Sequence, residues 1–180
     1  MHDFASLICQ LYNNFTLEGK IVKTLEKKSI GNFYLSDYKK EDRNYLMPIE
    51  NIKKNAQKRL KNYALSFYLH GSLSTNDYVK GWSDVDTLLI LKKEVFKNPQ
   101  NLLEIRDILY RLRENFYKID PLQHHGTMII TEFDLSYYPE IFLPVDALLH
   151  SKSLMVNDTK IKFRIRDSKA EALQKLYWVT

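Results

Sequence analysis

The chain has 180 residues, 44% hydrophobic and 13% aromatic, enough to bury the core of one domain. Its 27 Lys and Arg against 22 Asp and Glu give a net charge of +5, which favours anionic partners such as nucleotides or RNA and says nothing about fold. A single cysteine, Cys9, excludes an internal disulfide and a cysteine-built zinc cluster, and it fits a reducing, cytoplasmic compartment. No apolar run approaches a membrane span, and the opening Met-His-Asp-Phe lacks the basic stretch of a secretion signal. Neither a membrane nor a disulfide-linked partner is therefore expected.

Residues 1–62 read as a mostly helical N-terminal extension. Phe4, Leu7, Ile8, Leu11 and Tyr12 recur at spacings of three and four and predict a helix over 3–14. A second helix is expected over 17–28, with Gly19 near its start and Ser29-Ile30-Gly31-Asn32 at its end. The polar, mixed stretch 34–44 reads as a loop or short turn. Pro48 suits the first turn of a helix running to about residue 62. On that helix Lys53, Lys54, Lys58, Arg59 and Lys61 form a charge run: a solvated face, or a basic surface that attracts a phosphate-rich substrate.

Residues 63–150 hold the stretch that carries chemistry. Residues 64–69 are apolar and aromatic apart from Ser66, and predict a short buried strand ending at Gly71-Ser72. Gly71 lets a backbone or phosphate approach, and Ser72 adds a hydroxyl and an N–H at the same corner. A polar loop over 73–83 follows, with Trp82 expected to pack beneath it and, on a minority reading, Trp82 or Tyr78 lining a base pocket. Then come Asp84-Val85-Asp86 and a second apolar strand over 87–91. Residues i and i+2 of a strand share a face, so Asp84 and Asp86 point together. Paired carboxylates repel unless a cation lies between them, and hard oxygen ligands suit Mg²⁺. Ser83 is placed to bind a phosphate or orient the Asp84 carboxylate. His70, at the strand exit, reads as a hydrogen-bonded structural histidine.

Hydrophobic strand, Gly-Ser, a loop of some ten residues, then Asp-hydrophobic-Asp-hydrophobic: this pattern resembles the signature of the DNA polymerase β-like nucleotidyltransferase superfamily. Gly81-Trp-Ser-Asp-Val-Asp86 is most similar to the small stand-alone and aminoglycoside-type members. The resemblance covers residues 63–91 and extends to about residue 135. It implies an α/β (α+β) fold, a small mixed sheet with packed helices. It implies transfer of a nucleoside monophosphate, AMP from ATP, to a hydroxyl acceptor with release of pyrophosphate. Asp84 and Asp86 would hold Mg²⁺ or Mn²⁺, and Gly71, Ser72 and Ser83 would bind the nucleotide. The acceptor would be a small molecule, a protein or a tRNA end.

After the second strand, Leu102, Ile105, Ile108, Leu109, Leu112 and Phe116 trace an apolar stripe for a helix over 99–117, with Arg106, Arg111 and Arg113 on its outer face. The family pattern places a third carboxylate on the next strand, where it completes the metal site and serves as general base. The centre of that strand has no acid here. Asp120, at its entrance, is the first choice for this catalytic position; His124 or His125, and Glu132 and Asp134 past its exit, are the alternatives. This departure keeps open a catalytically degenerate domain that binds nucleotide or RNA, and more distantly a phosphohydrolase using the same Asp pair.

Turns are expected at Tyr137-Tyr138-Pro139 and Phe142-Leu143-Pro144, then a helix from Pro144 through His150. Residues 151–180 add an amphipathic basic strand over 160–166 and a helix over 169–178. Little here matches the helical acceptor-binding region usual in such relatives, so a minimal form or a fragment is expected.

Overall fold

The structure is a computed structural model and describes residues 2–16, 20–27, 31–123, 125–136, 138, 143–155 and 161–166. Its centre is a four-stranded mixed sheet in the order β4-β3-β2-β5: β4 Met128–Thr131, β3 Thr87–Leu91, β2 Ala64–Leu69 and β5 Lys152–Ser153. β3 lies antiparallel to β2 and parallel to β4, as a helical crossover between β3 and β4 requires. That crossover is α4, Pro99–Tyr117. It starts where the sequence places it, with Pro99 in the first turn and the Asn98 side chain accepting from Gln100 N.

Two apolar layers cover the two faces of the sheet. On one face Phe67, Leu69, Leu89 and Leu91 meet Ile49, Ile52 and Ala56 of α2, Lys40–Arg59, and Ile105, Leu112 and Phe116 of α4. Cys9 of α1, His2–Asn14, joins this layer, and Tyr12 stacks on Phe96 with ring centroids 3.8 Å apart. On the other face Tyr68, Leu88 and Ile90 meet Leu135 of α5, Glu132–Ser136, Val145 and Leu148 of α6, Val145–Leu149, and Ile161 and Phe163. The last two belong to β6, Ile161–Arg166, which pairs antiparallel with β1, Ile21–Lys27, in a separate ribbon. None of the described helices is long and apolar enough to cross a membrane.

Three expectations are corrected. The segment 17–28 is not a helix: β1 occupies Ile21–Lys27 and pairs with β6, with Leu25 packed against the second core layer. Pairing with a distant strand outweighs local propensity there. The helix assigned to start at Pro48 begins eight residues earlier, at Lys40, and ends at Arg59, so part of the expected 34–44 loop is helical. Leu46 continues the buried stripe of Ile49, Ile52 and Ala56 back through the proline. The lost N–H leaves the carbonyl of Asn44 without its helical donor, on a residue that is exposed to solvent. Trp82 does not pack beneath its loop but is 90% exposed; Tyr78 takes the buried place, at 7%. The helix expected over 169–178, and most of the turn residues over 137–142, lie outside the described residues.

Among the described residues the buried Tyr78 hydroxyl has no hydrogen-bond partner. Burial pushes its pKa up to about 12, helped by Tyr45, Asp42 and Asp120. An unpaired buried hydroxyl costs about 1–3 kcal/mol, so Tyr78→Phe is expected to raise the urea midpoint at pH 7. The native tyrosine resists ionisation that the unfolded chain allows from its ordinary value of 10.0. Stability is therefore lost as pH rises through 10 to about 12, and the variant should lose less of it. A lower midpoint for Tyr78→Phe at pH 7 would show that the hydroxyl has a partner.

Candidate active site

The antiparallel register of β2 and β3, Leu69 opposite Thr87, continues one residue beyond the strands: the His70 N–H donates to the Asp86 carbonyl at 3.1 Å. Asp86 is thereby set across from His70 and beside Gly71. Gly71 has φ +65° and ψ −152°, a conformation essentially restricted to glycine. A Cβ built there would lie 2.5 Å from Asp86 Oδ2. The missing side chain is what lets this carboxylate rest against the turn. Val85, 1% exposed, belongs to the helix-side core, while Leu88 and Ile90 face the other way. Carried back along the chain, that alternation puts Asp84 and Asp86 on one side. Both carboxylates act on His70, whose imidazole burial nonetheless holds below the usual histidine range against their pull.

The turn after Gly71 is the one-turn helix α3, Ser72–Thr75, with Asn76 in the left-handed region at its end. Ser74 donates its hydroxyl to the Gly71 carbonyl at 2.7 Å. The Tyr38 hydroxyl donates to the carbonyl of Leu73. From β5, Lys152 Nζ donates to Asn76 Oδ1 at 2.5 Å and lies 3.6 Å from Asp37 Oδ2. Burial lowers the Lys152 pKa, with Asp37 opposing. Ser72 is half-buried in the first turn of this fastened segment.

The third wall comes from the segment between α4 and β4, where the sequence offers no strand pattern. Gln123, 7% exposed, inserts its carboxamide against Val85. Its Oε1 accepts from Val85 N at 3.2 Å, and its Nε2 donates to Val85 O at 3.1 Å and to His125 O at 2.9 Å. This side chain pairs the backbone between the two aspartates much as a neighbouring strand would, before β4 has begun. His125 Nε2 consequently lies 3.9 Å from Asp84 Oδ2. The Thr127 hydroxyl meets that of Thr87 at 3.1 Å. A cavity of about 370 Å³ opens between these walls, lined by His70, Asp86, Thr87, His125, Thr127 and Met128.

The structure thus brings Gly71, Ser72, Asp84 and Asp86 together with His70 and His125. The Ser83 hydroxyl stands next to Asp84 but accepts from Val79 N at 3.0 Å, closing the loop. Asp120 lies in the turn after α4, where Oδ1 accepts from Leu122 N at 2.9 Å. Glu132 and Asp134 lie past the far end of β4, their oxygens accepting from Lys93 N and Thr131 N, both at 2.7 Å. Among the described residues no group of three His, Cys, Asp or Glu side chains forms a metal cluster, so none of these acids joins the pair. His124 lies outside the described residues. Of the basic run on α2, Lys53 donates to the Phe33 carbonyl at 2.6 Å, while Lys54, Lys58 and Arg59 are exposed toward the end of the sheet where β2 begins, opposite Gly71.

Two hard carboxylates facing one way against an open turn suit a divalent cation that takes its remaining ligands from water and substrate phosphates. The chain belongs to the nucleotidyltransferase domain family, whose profile matches residues 49–138, half of its length and the whole of this corner. No curated protein and no solved structure matches it. Nucleotidyl transfer is accordingly the general chemistry of its family.

Gln123 is the site residue that the sequence does not reveal. A glutamine between Pro121-Leu122 and two histidines has no periodicity or motif to mark it, and its role exists only once Val85 lies beside it.

Proposed function

We propose that the protein is a metal-dependent nucleotidyltransferase that moves AMP from ATP to a hydroxyl acceptor and releases pyrophosphate. The observation that carries this reading is the Asp86 carboxylate lying over the Cα of Gly71, with Asp84 on the same side. Asp84 and Asp86 would hold Mg²⁺ or Mn²⁺; such an ion, when bound, neutralises phosphate charge and aligns the groups for in-line displacement. Gly71 and Ser72 offer the triphosphate a close backbone approach. The acceptor oxygen bonds to the α-phosphorus as the bond to the β-phosphate oxygen breaks, and the hydroxyl proton passes to a base. His125, whose Nε2 is 3.9 Å from Asp84, is the base in this reading. Asp120 is not given the role, because its carboxylate closes its own turn.

The test is incubation with each α-labelled NTP and Mg²⁺, alone and with total tRNA or cell extract, beside an Asp84→Asn/Asp86→Asn variant. Label transfer that disappears in the variant is the expected result and identifies the acceptor class. Absence of transfer, with nucleotide binding unchanged in the variant, would overturn the metal assignment. A second reading, a non-catalytic nucleotide- or RNA-binding domain of the same fold, is favoured by one observation: Thr127, not an acid, lies beside Thr87 immediately before the neighbouring strand β4.

A further inference from the structure

Trp82 is the most exposed large hydrophobic side chain among the described residues, at 90%. Tryptophan ordinarily buries most of its surface. The tip that carries it is nonetheless built. Trp82 N and Ser83 N both donate to the Val79 carbonyl, at 3.1 and 2.9 Å, and Ser83 Oγ accepts from Val79 N at 3.0 Å. Gly81, at φ +76°, makes the turn that projects the indole outward. Tyr78 anchors the loop at 7% exposure, and the Lys80 ammonium sits 4.6 Å from the centre of the Tyr45 ring. The chain thus holds an aromatic plane in solvent on a fixed turn. Trp82 is two residues from Asp84, so their Cα atoms are at most about 7 Å apart.

We infer that Trp82 is the stacking platform for the base of the donor nucleotide. The inference rests on the reading that the Asp84–Asp86 corner takes an NTP. Only a ribose separates a nucleoside triphosphate's base from the phosphate that reacts, so the donor base is the one planar ring that every turnover brings within a nucleoside's length of these carboxylates. An indole face is suited to it: stacking gains contact area without selecting strongly among bases. Trp82 therefore contributes affinity for the base and none for the phosphates.

The chain's two tryptophans, Trp82 and Trp178, allow a direct reading. In a Trp178→Phe background, α,β-methylene-ATP with Mg²⁺ should quench the remaining fluorescence and tripolyphosphate with Mg²⁺ should not. By calorimetry Trp82→Ala should bind α,β-methylene-ATP roughly ten- to a hundredfold more weakly. It should bind tripolyphosphate as the unaltered chain does, and Trp82→Phe should keep most of the affinity. Because the side chain is exposed, these variants fold as the parent does. Equal affinity of Trp82→Ala and the parent for α,β-methylene-ATP would overturn the platform while leaving the nucleotidyltransferase reading intact. Quenching by total tRNA but not by α,β-methylene-ATP would overturn the donor assignment in favour of an acceptor base. Failure of the parent to bind either phosphate compound would overturn the platform and the underlying reading together.

Discussion

Gly71→Ala is expected to reduce nucleotidyl transfer at least about a hundredfold while costing only about 1–3 kcal/mol of stability. Two physical effects act at this residue. The first is backbone strain: φ +65° with ψ −152° is a region that an alanine enters only at that cost. The second decides function. The new methyl carbon would meet Asp86 Oδ2 at 2.5 Å, closer than any real contact, and the carboxylate is the more movable partner. It would swing off the turn, away from the place where it and Asp84 can share a cation and the phosphates can approach. Thermal unfolding and label transfer, measured together against Asp86→Asn, separate the two effects. A variant that unfolds within a few degrees of the parent yet transfers no label supports the close approach. Transfer within a few-fold of the parent would show that Asp86 is not needed where it lies.

Gln123→Ala should be nearly as damaging by a different route. Removing the carboxamide leaves the Val85 N–H and C=O, within the buried helix-side core, without the partner that holds them. Each unmet buried group costs about 1–3 kcal/mol, so a clear fall in the urea midpoint is expected. Val85 is the link between Asp84 and Asp86, and the same carboxamide holds the carbonyl of His125. The variant is therefore expected to need at least about tenfold more Mg²⁺ for half-maximal activity. Gln123→Glu keeps an acceptor for Val85 N but sets a buried carboxylate oxygen against Val85 O and His125 O, and should lower the midpoint at pH 7 at least as much as alanine does. Metal dependence is the readout that a purely structural glutamine would not move. A fall in the midpoint with unchanged Mg²⁺ dependence would confine Gln123 to stability.

Much of the strand-turn-strand corner was legible in the chain because its parts are local. The runs over 64–69 and 87–91 are apolar apart from Ser66 and Thr87, as strands buried on both faces tend to be. The period-2 rule alone orients Asp84 with Asp86, and Gly71 marks a place where a side chain would intrude. The stripe from Leu102 to Phe116 likewise predicts α4 residue for residue, because a three-turn-plus amphipathic pattern bounded by Asn98-Pro99 has few other solutions.

What only the tertiary structure decided lies where distant segments meet. Residues 21–27 form a strand because 161–166 lie beside them, and no local preference announces a partner so far along the chain. α2 runs through Pro48 because Leu46 is drawn into the core ahead of it. Trp82 faces solvent because Tyr78 already fills the space beneath the loop. The third wall followed the same rule: Asp120 comes first after the helix in sequence and its Oδ1 accepts from Leu122 N in the turn there, while Gln123 and His125 reach Val85 and Asp84. The sequence by itself determined which residues could do phosphate chemistry, since that depends on side-chain type and short spacing. The packing of the chain decided which of them stand together, since that depends on loops whose course is set by contacts made elsewhere.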